Sequence, residues 1–453
     1  MPWFSAVELS ESIRRREISC VEVMTSYLER LDAHNPRVNA VVALRDPEEL
    51  LREAADRDAA LAAGERAGWL HGLPFAVKDL AAAAGLPWTE GSPIHARRVA
   101  DEDEPFVKRI RDAGAIIIGK TNVPEFGLGS QTYNHVYGPT STPYDTTRTA
   151  GGSSGGAAAA LALRLLPVAD GSDYLGSLRN PAAFCNVLGF RPTYGRIPSP
   201  GFVRHPSTVG PMGRTVEDVT ALLEVMSGAA LPPAAETGRR IAWVGDLGGH
   251  LATEPGLLEV CRRALDVFEE LGFVVEEAVP DYPFDRLWNT VLTWRWWGML
   301  GAHDELYADP ATRARLKPEI VWEIENGLRL TALDIARAEA ARTEWYDTAL
   351  NFFSRYDFVL APSTQVFPFP VTTPWPAEIA GRPMDSYHRW METVAPWSMT
   401  GMPALGMPAG FDERGLPAGV QLVGRPGADA EVLRLARAYE ERTNWVRDRP
   451  PPA

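Results

Sequence analysis

Two serine clusters wrapped in glycine carry the strongest chemical signal in this sequence. The first is Thr149-Ala150-Gly151-Gly152-Ser153-Ser154-Gly155-Gly156-Ala157. The second is Asp170-Gly171-Ser172-Asp173-Tyr174-Leu175-Gly176-Ser177-Leu178-Arg179-Asn180-Pro181-Ala182. Ser153 and Ser177 stand 24 residues apart, joined by the small, apolar run Ala157 to Ala169. Glycine beside serine lets the backbone approach a ligand closely and leaves amide N–H groups unscreened. Acyl transfer needs that combination: a nucleophilic hydroxyl beside donors for a developing oxyanion. Gly/Ser-rich composition also marks flexible linkers. A linker, however, does not enclose an apolar run that reads as a packed helix.

Two shorter motifs compete with this reading. Gly114 to Thr121 matches G-x-x-x-x-G-K-T, but its intervening residues are Ala115, Ile116, Ile117 and Ile118, and Pro124 follows. A phosphate loop needs a glycine-rich turn and then a helix, whereas this stretch predicts a buried strand. Gly151 to Gly155 also satisfies G-x-S-x-G, the nucleophile elbow, which should follow a buried strand. The preceding Pro143 to Ala150 reads as a polar loop, and none of His205, His250, His303 or His388 sits beside a recognisable strand-end acid. Cys20, Cys185 and Cys261 are too far apart for a metal cluster or a disulfide framework, and Cys185 reads as a buried thiol. The eight histidines show no zinc spacing.

The elements that must position these residues alternate between strand and helix. Helical spacing covers Ser5 to Asn35, interrupted at Ile18-Ser19, where Ser19 and Glu22 form a capping box; Asn35-Pro36 is expected to end it. Further helices are predicted over 47–64, 106–113, 215–226, 258–271, 284–300, 332–353 and 431–442. Buried strands are predicted at 73–80, ending on Lys78-Asp79-Leu80, and at 115–118, 240–244, 273–275, 358–361 and 420–423, with 208–212 leading into a helix. The class is α/β, and 231–238 reads as a surface loop because the alternation continues beyond it.

Composition bounds the function. The 453 residues are 45% hydrophobic and 23% charged, with a net charge of −14, which argues against a nucleic-acid or anionic-membrane surface. The N-terminal residues lack the pattern of a signal peptide, and no apolar run approaches the ~18 residues that span a bilayer. A reducing, cytoplasmic setting is expected. So are a small-molecule partner, no nucleic acid, no membrane contact, and an oligomeric state open to a homodimer.

The chain resembles the amidase signature serine hydrolases over nearly its whole length. The matching motifs are Gly72 to Asp79, Gly119 to Asn122, Gly151 to Gly156 and Pro192 to Arg196, with weaker ones at 401–405 and 415–424. The resemblance implies one large domain over residues 1–453: a central twisted mixed β-sheet covered by helices on both faces. The signature core would lie at about 70–215, and 239–445 would contribute the substrate pocket. It further implies a Ser–cisSer–Lys triad in which Ser177 is the nucleophile, Ser153 the serine after the cis peptide, and Lys78 the base. No metal or cofactor is implied. The chemistry is coherent: Lys78 ends an apolar strand, and a buried lysine whose neutral amine dominates can act as a base. The other reading of Lys78 is a surface lysine closing a strand. Ser154 would assist, Asp173 and Arg179 would hold the nucleophile loop, and Gln131 and Asn134 would reach either that loop or the substrate.

One departure stands out. The family pattern before the nucleophile is D-x-G-G-S, whereas this chain reads Asp173-Tyr174-Leu175-Gly176-Ser177. The implied oxyanion donors are the backbone N–H groups of Tyr174, Leu175 and Gly176. Leucine disfavours φ > 0, so either Leu175 takes negative φ or the loop is shifted. The implied activity is amide hydrolysis through an acyl-enzyme. The alternatives are an amidotransferase subunit that delivers ammonia to a partner and a silent binding homologue. Trp288, Trp294, Trp296, Trp297 and Trp322, then Phe367, Phe369 and Trp375, belong either to the core or to a pocket for an apolar or aryl acyl group.

Overall fold

Period-two burial explains the central layer. Ile241, Trp243, Phe358 and Leu360 enter one hydrophobic cluster, while Ala242, Val244, Val359 and Ala361 enter another. Successive side chains on a strand point to opposite faces, so these continuous apolar runs are strands covered on both sides. The computed structural model of the protein describes residues 3–198 and 206–452; His205, Met1 and the last residue of the Pro-rich tail lie outside them.

Strands β1 (Val41–Val42), β2 (Pro74–Lys78) and β3 (Ile116–Thr121) form a small sheet with β3 in the middle. β2 runs parallel to β3, with Lys78 opposite Thr121. β4 (Ser141–Thr142) and β5 (Asp145–Thr149) make an antiparallel hairpin. β6 (Ala169–Asp173), β7 (Leu188–Arg191), β8 (Thr208–Gly213), β9 (Arg240–Trp243), β10 (Val274–Glu277) and β11 (Phe358–Pro362) follow. After the short pair β12 (Glu378–Ile379) and β13 (Arg382–Pro383) come β14 (Ala404–Phe411) and β15 (Pro417–Gly424). The main sheet has eight strands in the order β10-β9-β11-β15-β14-β7-β8-β6. β10, β9 and β11 are mutually parallel, and the remaining neighbours pair antiparallel. β6, β7 and β8 form one end of this sheet and β9, β10, β11, β14 and β15 the other, joined where β14 pairs with β7. This is the mixed α/β sheet, covered on both faces, that the sequence implies.

Several boundaries differ from expectation. The helix Cys20–Val38 runs through Pro36 and closes on Asn39 in the left-handed conformation. Proline near a helix end removes a single backbone donor, and the Asn35 side chain bonds Ala40, Val41 and the Val41 carbonyl to fix the exit. The apolar run after Gly156 is not one helix: Gly155–Ala162 is helical, and Ala169 already belongs to β6. Before Gly151 there is a strand, β5, but it forms a two-stranded hairpin with β4, bridged at Arg148 to Pro370, and is partly exposed, so it is no buried strand of the kind an elbow requires. Lys120 lies fully buried in β3 with its Nζ on the Ala81 carbonyl, so the G-x-x-x-x-G-K-T match makes no phosphate loop.

Candidate active site

Lys78 is the centre of the site. It ends β2 and is 1% exposed. Its backbone N–H donates to Asp170 Oδ1 at 3.0 Å, which ties the small sheet to β6 of the main one. Its Nζ lies 2.8 Å from Ser153 Oγ, 2.8 Å from Ser154 Oγ, 3.0 Å from Ser172 Oγ and 3.4 Å from the Ser172 carbonyl. Among the described residues, no carboxylate contacts this Nζ. Burial drives the amine down to about 7, against the pull of Asp170 and Asp173. A neutral amine has two N–H donors and one lone pair, so among three hydroxyls it can accept a proton from one.

The serine clusters are held from several directions. The Gly152–Ser153 peptide is cis. Ser130 Oγ donates to the Gly152 carbonyl at 2.7 Å, and Asn180 Nδ2 in turn donates to Ser130 Oγ at 2.7 Å. Thr132 N–H donates to the Gly151 carbonyl, and Thr132 Oγ1 accepts from Gly155 N–H. The two clusters are joined where Ser154 N–H donates to the Ser177 carbonyl at 3.1 Å. Ser153 and Ser177 border one cavity of about 300 Å³, with Leu80, Phe126, Tyr174 and Met299 among the other residues lining it. Their hydroxyls do not hydrogen-bond to each other, which is common in unliganded sites.

The loop before Ser177 hangs on Asp173. This carboxylate accepts from Gly176 N–H at 2.9 Å, Leu178 N–H at 3.2 Å, Arg179 Nε at 3.0 Å and Arg179 Nη2 at 2.8 Å. Arg191 closes the cluster from β7. Burial alone would neutralise Asp173, but the Arg179 and Arg191 guanidiniums hold it well below the usual carboxylate range. One expectation needs correction here. The single N–H of Gly176 is already spent on Asp173, so it is not free for an oxyanion. Among the described residues, the N–H groups of Tyr174, Leu175 and Ser177 have no backbone or side-chain acceptor. Gly176 itself has φ of 83°, and a Cβ there would meet Asn180 Oδ1 at 2.4 Å, so this position admits no side chain.

Leu175 resolves the departure from the family pattern. Its φ is not positive, and its side chain, 3% exposed, belongs to the buried cluster that also holds Trp288, Trp345 and Trp397 and does not line the cavity. Leu175→Gly should therefore cost about 2–5 kcal/mol of stability, as large-to-small core changes do. Denaturant unfolding measures this, and unchanged stability with a widened acyl range would contradict it.

Other expectations fare differently. Asn134 is consumed by Asn122, Val123, Val136 and Tyr137, and Gln131 Nε2 by the Val371 carbonyl. Neither borders the cavity, and both side chains hold loops through these bonds. Trp288 and Trp294 are buried in the core, with Trp296, Trp297 and Trp322 packed against the same cluster. Phe367, Phe369 and Trp375 lie in other clusters. Among the described residues, no histidine bonds either serine: His250 pairs with Glu392, His388 pairs with Glu323, and the His303 ring lies tilted against Phe126. Larger clefts elsewhere, such as one of about 380 Å³ bounded by Arg164, Arg214 and Tyr439, contain neither serine.

Sequence reasoning missed three contributors. Ser172 and Ser130 sat beside glycines already in view, yet only the fold shows what they bond. Arg295, hidden between tryptophans, lines the cavity from the helix Phe284–Ala308. No group of three or more His, Cys, Asp or Glu among the described residues could hold a metal ion, and no helix is long and apolar enough to cross a membrane.

Known proteins resemble this chain over most of its length. The Amidase family model matches residues 22–433. An acylamidase of Rhodococcus erythropolis is 37% identical over 471 residues, covering 99% of this chain and 97% of that protein. One subunit of the glutamyl-tRNA(Gln) amidotransferase of Moorella thermoacetica is 34% identical, covering 99% of this chain and 98% of that protein. Among solved structures, a bacterial aryl acylamidase superposes with a TM-score of 0.91 at 28% identity, covering 100% of this chain and 99% of that one. Fold and site together define a hydrolase acting on carboxylic amide bonds. The chain belongs to the amidase signature family.

Proposed function

We propose that the chain hydrolyses a small apolar or aryl carboxylic amide through an acyl-enzyme on Ser177. Neutral Lys78 is the base, Ser153 the relay, and the N–H groups of Tyr174, Leu175 and Ser177 stabilise the oxyanion. The observation that carries the reading is the buried Lys78 amine, 2.8 Å from Ser153 Oγ and, among the described residues, without a carboxylate contact.

In the first step Ser177 Oγ bonds to the amide carbon. Its proton passes to Ser153 Oγ, whose own proton passes to Lys78 Nζ. The tetrahedral oxyanion meets the backbone donors. Lys78, now an ammonium, returns the proton through Ser153 to the leaving nitrogen, and ammonia or amine departs. Water then repeats the sequence on the ester, giving the acid and restoring Ser177. Ser154 and Ser172 hold the remaining N–H bonds of Lys78, so the amine keeps its lone pair toward Ser153.

The mostly apolar lining, with Leu80, Phe126, Met299 and Ala302, supports an apolar acyl group. The relatives named acylamidase and aryl acylamidase support the same class. The test compares kcat/KM for phenylacetamide, a short aliphatic amide and glutamine. Phenylacetamide should be the fastest. Faster glutamine turnover would instead favour an ammonia-delivering subunit like the amidotransferase relatives. The reading extends to a cytoplasmic setting, which three buried, unbridged cysteines support.

A further inference from the structure

The helix Phe284–Ala308 turns one narrow face to the cavity: Arg295, Gly298, Met299 and Ala302, at positions i, i+3, i+4 and i+7. Three of these are small or apolar. The fourth is a guanidinium, 6% exposed, in the same cavity as Ser153 and Ser177. Arg295 is held rigidly from behind. Its Nε donates to Glu323 Oε1 at 2.6 Å and its Nη2 to Tyr387 Oη at 3.2 Å. Its Nη1 has no hydrogen-bond partner among the described residues. Beside it, the Tyr174 ring lies 5.2 Å from the guanidinium carbon, and the Tyr174 hydroxyl is buried without a partner among the described residues.

Charge decides what the open donor suits. Glu323 is fully buried; burial opposes its ionisation, but Arg295 holds its carboxyl at about 2. The Tyr387 hydroxyl also donates to Glu323, as does His388 Nε2 at 2.8 Å. Burial lowers the His388 pKa, so the imidazole stays neutral and Arg295 and Glu323 cancel. A buried carboxylate brought to such a balanced pair would add an uncompensated charge. A neutral oxygen would satisfy the donor without one. Nor does the fold need a guanidinium here for stability alone, since buried ion pairs can often be replaced by apolar residues without loss.

We propose that Arg295 is a substrate-recognition residue whose free N–H groups bind an uncharged acceptor oxygen at the far end of the amide. The preferred substrates are then largely apolar amides bearing an ether, carbonyl or similar neutral oxygen. This rests on the amide-hydrolase reading above, and the test separates the two.

Three amides differing only at the far end are compared: a 4-methoxyphenyl, a 4-ethylphenyl and a 4-carboxyphenyl compound. One series carries the group on the acyl part and a second on the amine part. In at least one series the methoxy amide should exceed its ethyl isostere by about 10- to 100-fold in kcat/KM, the range of a hydrogen bond to a charged donor. The carboxylate should do no better than the ethyl compound. In Arg295→Met/Glu323→Gln, which leaves no unpaired buried charge, the methoxy-to-ethyl ratio should fall toward one. A merely structural residue would lower both rates and leave the ratio unmoved. Equal methoxy and ethyl rates in both series, a preferred carboxylate, or a ratio preserved in the double variant would overturn the inference, and the wild-type comparison decides even if the variant does not fold. No turnover of any amide would overturn the hydrolase reading, and this inference with it.

Discussion

Ser177→Ala should fold like the parent chain and form no acyl-enzyme. Turnover should fall by about 10⁶-fold, the loss seen when one member of a serine catalytic unit is removed. Among the described residues, no other hydroxyl combines this cavity, an adjoining run of unpaired backbone N–H groups and a neighbour bonded to a neutral amine. Ser153 borders the cavity as well, but its hydroxyl is committed to Lys78. The substitution removes one oxygen from a position 9% exposed and leaves Asp173, Arg179 and Arg191 in place to hold the loop. Thermal melting should therefore be nearly unchanged. Burst kinetics with a chromogenic amide or ester checks the catalytic half: the variant should show no burst. A retained burst would mean that another residue carries the acyl group.

Lys78→Ala should be almost as severe. A positioned general base contributes about 10²–10⁴, and this lysine also orients three serine hydroxyls that would lose their common partner. A loss of at least about 10⁴ in kcat is expected, with some destabilisation from the polar atoms left behind. The pH profile separates a base from a merely structural lysine. Burial has moved the amine from its ordinary value of 10.5 down to about 7, and in the proposed mechanism the neutral form is the active one. In the parent enzyme kcat/KM should therefore rise with pH and level off above about 7. The residual activity of Lys78→Ala should lack that rise. A flat profile in the parent from mildly acidic to alkaline pH would contradict the assignment.

The serine clusters were legible because glycine is a local signal, and β2 because Leu73 to Val77 is continuously apolar. The same holds for β9 and β11, whose runs of Ile, Trp, Val and Leu fit strands covered on both faces. β6, β7 and β14 were not read as strands. Ala-Asp-Gly-Ser-Asp and Ala-Leu-Gly-Met-Pro-Ala-Gly-Phe lack the β-branched residues that mark a strand. Their small residues answer to packing instead: a Cβ at Gly406 would meet the Arg179 Cα at 2.7 Å. The site divides the same way. Ser153, Ser177 and Lys78 come from motifs a reader can find, whereas the use of Gly176 N–H by Asp173 is a matter of loop geometry that no composition reveals. Gln131 and Asn134 misled because amide side chains near a site suggest substrate contacts, while here both tie down loops. The tryptophans misled in the opposite direction. Their helix does line the cavity, but through Arg295, Gly298, Met299 and Ala302, which occupy the face between them.

The most direct test of the central claim is to react the protein with a fluorophosphonate, weigh it intact, and map the modified peptide. A phosphonate on serine mimics the tetrahedral stage of acyl transfer and marks the oxygen that attacks. One adduct per chain is expected, on Ser177, formed more slowly in Lys78→Ala and absent in Ser177→Ala. An adduct on Ser153, or none on a folded protein, would contradict the account.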